Sequence, residues 1–286
     1  MCAQAGASMN DEETTAVSWQ AAWQDSLKER MDPKLGLPAV HAKYPTNIDE
    51  NVKKTKSPGA TAAYAFEYVI DIGCVDPDHP YVGDFLGWTI QMAETMLADA
   101  RRWESQWAVL RPAKHSLLTG VLALAYGMRE DKEPDATLLD ISRQDAIQAF
   151  DEARGKTWMA PDAQAEYLRS VQFCLLGGDV SSAAQMLRGK RRFGWTQHWH
   201  DPLAAVIRNL EATDGKRVTD TDVINAFDKL FDFVRAPKYQ RSKEKGETMG
   251  SPRALIRLQL ATIRHKFVDG LPVAGCWRQI LKSISA

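Results

Sequence analysis

The stretch Ala160–Leu187, APDAQAEYLRSVQFCLLGGDVSSAAQML, restricts the fold of this chain more than any other. Pro161 suits the first turn of a helix, where its missing N–H costs nothing. Leu168, Val171 and Leu175 then recur at helical spacing, and Phe173 and Leu176 widen the apolar stripe. Gly177 and Gly178 predict the stop, because glycine accepts the left-handed conformation that closes a helix C-terminus. Asp179, Ser181 or Ser182 then caps a second helix carrying Ala183, Ala184, Met186 and Leu187. The pattern is a helical hairpin of the tetratricopeptide-like kind, a scaffold for burying side chains with no chemistry of its own.

The same spacing recurs along the chain. Residues 1–13 read as a disordered N-terminus, and Trp19, Trp23 and Leu27 predict a first amphipathic helix over 14–31. Asp32 to Gly59, with Pro33, Pro38, Pro45 and Pro58, reads as a long connection. Ala60–Cys74 is the next expected helix, followed by the turn VDPDHPYVGD. A long helix is expected from Asp84 to about Leu110, with Phe85, Trp88, Met92, Met96, Trp103, Trp107 and Leu110 along one seam. Arg111-Pro112 ends it, since a residue before proline avoids the helical region. Ala113–Met128 is apolar almost all round and is expected to be the central buried helix, with Ser142 and Asp145 capping the one after it.

Beyond the hairpin, Trp199, Leu203, Val206 and Leu210 mark one helix, and Val223, Phe227, Leu230 and Val234 the next. Ser251-Pro252 opens a helix with a core face of Ile256, Leu260, Ile263 and Phe267, and a short helix follows Pro272. No period-two segment stands out. The fold class expected is all-α, a multi-helix array of roughly ten or eleven helices in antiparallel pairs. A single helical domain over 14–286 is expected, with a candidate sub-division near 130–141.

Charge narrows the function classes. Lys plus Arg is 36 against 37 for Asp plus Glu, a formal net charge of −1, which argues against a dedicated nucleic-acid binder. Cys2, Cys74, Cys174 and Cys276 are too widely spaced for a zinc site or a disulfide framework, and reduced, mostly buried thiols are expected. No apolar run approaches the roughly 18–20 residues that cross a bilayer. The N-terminus lacks the basic start and apolar stretch of a signal peptide, so a cytoplasmic location is expected.

Three segments are candidates for chemistry. Asp76, Asp78, His79 and Asp84 in VDPDHPYVGD present metal-type ligands, but prolines and an oncoming helix explain them as a turn with a cap. Arg188, Lys190, Arg191 and Arg192 precede Trp195, His198, Trp199 and His200. Cations gather at a helix C-terminus and tryptophans pack, yet this composition is also that of a protein-contact surface. Arg191, Arg192, Trp195, His198, Trp199 and His200 are therefore the candidate partner-binding residues. Arg235, Lys238, Arg241, Lys243, Lys245 and Arg253, against Glu244 and Glu247, read as a solvated basic loop. There is no Walker loop, dinucleotide-type glycine pattern or nucleophile elbow. No catalytic residues, metal or cofactor are expected.

The second half of the chain resembles the immunity proteins of bacterial polymorphic-toxin systems, and most closely the all-helical family catalogued as immunity protein forty-nine. The residues that carry the resemblance are AEYLRSVQFCLLGGDVSSAAQML, VINAFDKLFDFVRAPKY and ALIRLQLATIRHKFVDGLPV. The chain departs from the family at Ala274-Gly275-Cys276-Trp277, where an acidic-aromatic-Leu-Pro segment is usual, and at Ser251-Pro252, where an aromatic is usual. The resemblance implies a cytoplasmic protein that binds and neutralises a cognate toxin by occlusion, with no catalytic residues. Two other classes are kept beside it: a helical enzyme with a His or carboxylate site, and a tetratricopeptide-like module that binds peptides.

Overall fold

A computed structural model of the chain describes residues 58–98, 111–153, 171–188, 197–235 and 253–285. Every regular element among the described residues is helical: α1 (Pro58–Gly73), α2 (Pro80–Ala98), α3 (Arg111–Glu130), α4 (Ala136–Ala153), α5 (Val180–Arg188), α6 (Gln197–Ala212), α7 (Thr221–Arg235), α8 (Arg253–Ile263) and α9 (Trp277–Ser285). Residues 171–176 are also helical. α8 runs on into a wider π-helical turn, Arg264–Val268. Ala62–Ala286 forms one compact unit. The fold class is all-α. The expected helix over 14–31, most of the 32–59 connection, Trp103, Trp107 and Leu110, the first part of the hairpin and the 236–250 loop lie outside the described residues.

Capping chemistry sets the helix starts, in places against expectation. α2 begins at Pro80 and not at Asp84, because proline at the first helical position is pre-organised for it. The His79 ring accepts the Tyr81 N–H at 3.2 Å, so Tyr81 and Val82, expected in the turn, are buried helix residues. α4 begins at Ala136, with Asp135 Oδ1 accepting the Leu138 N–H at 2.9 Å. Ser142 and Asp145 are therefore not a cap, and both face α3. At the hairpin, Gly178 has φ +80°. There the Asp179 and Gly178 N–H groups donate to the Cys174 and Leu175 carbonyls at 2.9 Å, a Schellman closure. Asp179, rather than a serine, caps α5 by accepting the Ser182 N–H at 2.9 Å.

Two helices form the centre of the core. In α3, Leu118, Val121, Leu122, Ala123, Leu124 and Ala125 are at most 3% exposed, as the apolar run predicts. In α8 every described side chain from Ala254 to Ile263 is buried, so the expected single core face is a full circumference. Its polar residues hid this. Arg257 enters the core only by pairing with Asp71 of α1 at 2.8 Å, and Thr262 by donating to the Leu258 carbonyl. On α2, Phe85 stacks on Tyr68 of α1 at a centroid distance of 5.0 Å and meets Trp88 edge-on at 5.4 Å.

The hairpin turns share one edge of the array. The turns 74–79, 131–135, 177–179 and 213–220, and the segment 269–276, each join one helix C-terminus to the next N-terminus. The C-terminal segment ties most of them together. Arg278 pairs with Asp78, and Glu133 accepts the Val273 and Ala274 N–H groups at 2.7 and 3.2 Å. The Trp277 indole donates to the Lys132 carbonyl at 2.7 Å, and Val218 donates to the Phe267 carbonyl at 2.7 Å. The stretch 130–141, expected as a sub-division, is the α3–α4 turn and the start of α4. The helix ends that flank the remaining connections lie at the opposite edge.

Candidate functional site

Of the candidate partner-binding residues, Arg191, Arg192 and Trp195 lie outside the described residues. His198, Trp199 and His200 fall in the first turn of α6, at the edge opposite the stitched turns. Their side chains lie outside what is described. The basic loop leading into α8 also lies outside, save for Arg235 and Arg253 at the helix ends that border it.

Asp76 and Asp78 of VDPDHPYVGD have structural partners. Asp76 Oδ1 accepts the Asp78 N–H at 3.1 Å, the geometry of an Asx turn, and Asp78 pairs with Arg278 at 2.7 Å. His79 caps α2, and Asp84 sits in the second turn of that helix, with its side chain exposed. Among the described residues no group of three or more His, Cys, Asp or Glu side chains is arranged to hold a metal.

One constellation that the spacing did not predict lies between α3 and α4. His115 Nδ1 and Asp145 Oδ2 are 2.6 Å apart, with 23% and 22% of their side chains exposed. One turn deeper, Ser116 Oγ donates to the Ser142 carbonyl and Ser142 Oγ to the Ser116 carbonyl, each at 2.7 Å. The contact sets an imidazole nitrogen against a carboxylate, an arrangement in which the carboxylate orients the ring. The two serines bond to each other's helix. The pair is 30 residues apart in sequence, with no local pattern to announce it.

A second polar cluster sits beneath the start of α8. Glu67, 1% exposed, accepts the Ala254 N–H at 2.8 Å, where a carboxylate answers the free N–H groups of a helix start. Beside it is the Asp71–Arg257 pair, and the Cys74 thiol donates to the Asp71 carbonyl at 3.2 Å. Burial, reinforced by Asp71, pushes the Cys74 thiol up to about 11. Burial, with Asp179 nearby, pushes the Cys174 thiol up to about 12. Both are buried thiols with little thiolate character at neutral pH.

No family model, curated protein or solved structure matches the chain. No helix among the described residues is long and apolar enough to cross a membrane.

Proposed function

We propose that the chain is a cytoplasmic binding protein that neutralises a partner by occlusion, as its resemblance to the polymorphic-toxin immunity proteins implies. The observation that supports this reading is the composition at the start of α6, where two histidines and a tryptophan follow a run of cations. At the turn edge, backbone and side-chain polar groups are tied to one another through the C-terminal segment. The opposite edge is where α6 starts, with His198, Trp199 and His200 in its first turn behind the basic run Arg188–Arg192. We place the partner contact there, with Arg191, Arg192, Trp195, His198, Trp199 and His200 as contact residues and the tryptophans as anchors.

Calorimetric titration against the product of the neighbouring gene tests the proposal. Trp195→Ala or Trp199→Ala should melt nearly normally yet bind about 30-fold or more weakly, the loss that defines a hot spot. Arg191→Glu with Arg192→Glu should slow association and flatten its salt dependence, since rim charges steer encounter. Unchanged affinity in all three would move the contact to the turn edge, where Val75 and Leu271 are 52% and 43% exposed. No binding by the unaltered protein would overturn the proposal.

The His115–Asp145 pair favours a second reading, a helical enzyme using this carboxylate-oriented imidazole as a general base. His115→Gln separates the two. An enzyme would lose its turnover and keep its fold, whereas an occluding protein would bind its partner as before.

A further inference from the structure

Gln172 and Gln259 are each 0% exposed, and neither the amide nitrogen nor the amide oxygen of either has a hydrogen-bond partner. The neighbouring core treats polar groups differently. Thr89 and Thr262 donate to carbonyls of their own helices, Ser116 and Ser142 bond across α3–α4, and His265 bonds the Pro272 carbonyl at 2.9 Å. A buried amide without a partner is strongly unfavourable, and here two occur in one core.

Their places in the fold bring them to one layer. The stretch 171–176 and the α8–π helix both end at the turn edge, so they run parallel. Lys266 Nζ joins them by reaching the Leu176 carbonyl at 3.4 Å. Gln172 lies one turn before Leu176 and Gln259 two turns before Lys266, each on roughly the side that carries this contact. At 1.5 Å per residue the amides are set back by about 6 Å and about 10 Å, within one helical turn of the same level. They do not bond each other directly. Whatever completes them must both donate and accept, because each amide offers two N–H donors and a carbonyl.

We propose that Gln172 and Gln259 form a buried hydration site, in which ordered internal water bridges the two amides between the 171–176 helix and α8. A water of this kind makes about three hydrogen bonds and is held as part of the structure. The site couples the two helices, and it owes nothing to the proposed partner.

Two measurements on the full chain test it. In the unaltered protein, the side-chain NH2 protons of both glutamines should show nuclear Overhauser contacts to long-lived water. Gln172→Leu and Gln259→Leu should each lower the folding equilibrium constant by about tenfold, because one change strands the other amide and its water. The double variant should recover most of that loss, giving a coupling of at least about fivefold in urea unfolding. Effects that combine within about twofold would overturn the shared site. Water contacts missing from either amide would overturn the water as its occupant.

Discussion

Asp179 illustrates how one side chain can close one helix and open the next. Its N–H donates to the Cys174 carbonyl, and its carboxylate accepts the Ser182 N–H and pairs with Arg143 at 2.8 Å. Partial burial alone would raise this carboxyl, but the Ser182 hydrogen bonds and the Arg143 guanidinium outweigh it and hold it below the usual carboxylate range. A carboxyl lowered on folding contributes stability above its unfolded value, and that contribution is lost as pH falls through the folded one. Asp179→Ala should therefore cost about 0.5–2 kcal/mol at neutral pH. The difference from the unaltered protein should shrink once urea midpoints are taken below the ordinary aspartate range. A difference constant with pH would mean that the cap works without its charge. The cysteines give a second expectation at this scale. Because only the thiolate alkylates, Cys74 and Cys174 should stay unmodified in the native protein at pH 8 and react fully in denaturant. Peptide mapping by mass spectrometry checks this, and rapid native labelling of either would contradict the burial assigned to it.

At the scale of elements, α3 and the 171–176 helix approach closely at Gly120. A Cβ on Gly120 would lie 2.3 Å from the Phe173 ring, and that ring is 1% exposed with no room to retreat. Gly120→Ala raises helix propensity but overpacks this contact, and the packing effect is the larger. The change should cost about 1–3 kcal/mol, against the roughly 1 kcal/mol that alanine gains over glycine in an open helix. Phe173→Leu in the same chain should recover much of the loss. If Gly120→Ala stabilised the protein, the two helices would not meet here. Element scale is also where local patterns misled. Ser142 and Asp145 have the chemistry of caps, yet they lie within α4 because Ser116 and His115 stand opposite them on α3.

For the whole molecule, the C-terminal segment contributes more than its length suggests. Val273, Trp277, Ile280, Leu281 and Ile284 are at most 2% exposed, while Glu133, Lys132 and Asp78 hold the same segment by polar contacts. Truncation after Asp269 should open the core and abolish a single cooperative thermal transition followed by circular dichroism. Glu133→Ala, which removes one acceptor shared by two N–H groups, should leave the transition cooperative and lower its midpoint. A truncated chain that melted like the full one would show that the turn edge is organised without its C-terminal tie.

The helical class and the 177–179 closure were legible in the sequence, because a 3.6-residue apolar period and a Gly-Gly-Asp stop are local signals that neighbouring residues alone produce. The central place of α3 was legible for the same reason, its apolar run leaving no polar face. The full burial of α8 was not. Arg257 and the start of the helix at Ala254 enter the core only because Asp71 and Glu67, 186 and 187 residues away in the chain, meet them there. The His115–Asp145 pair and the Glu133 tie have the same origin, with partners 30 and 140 residues apart. Local periodicity determined which residues coil into helices. Only the tertiary structure decided which polar side chains the core could accept, because a charge or amide can be buried only where the fold brings it a partner.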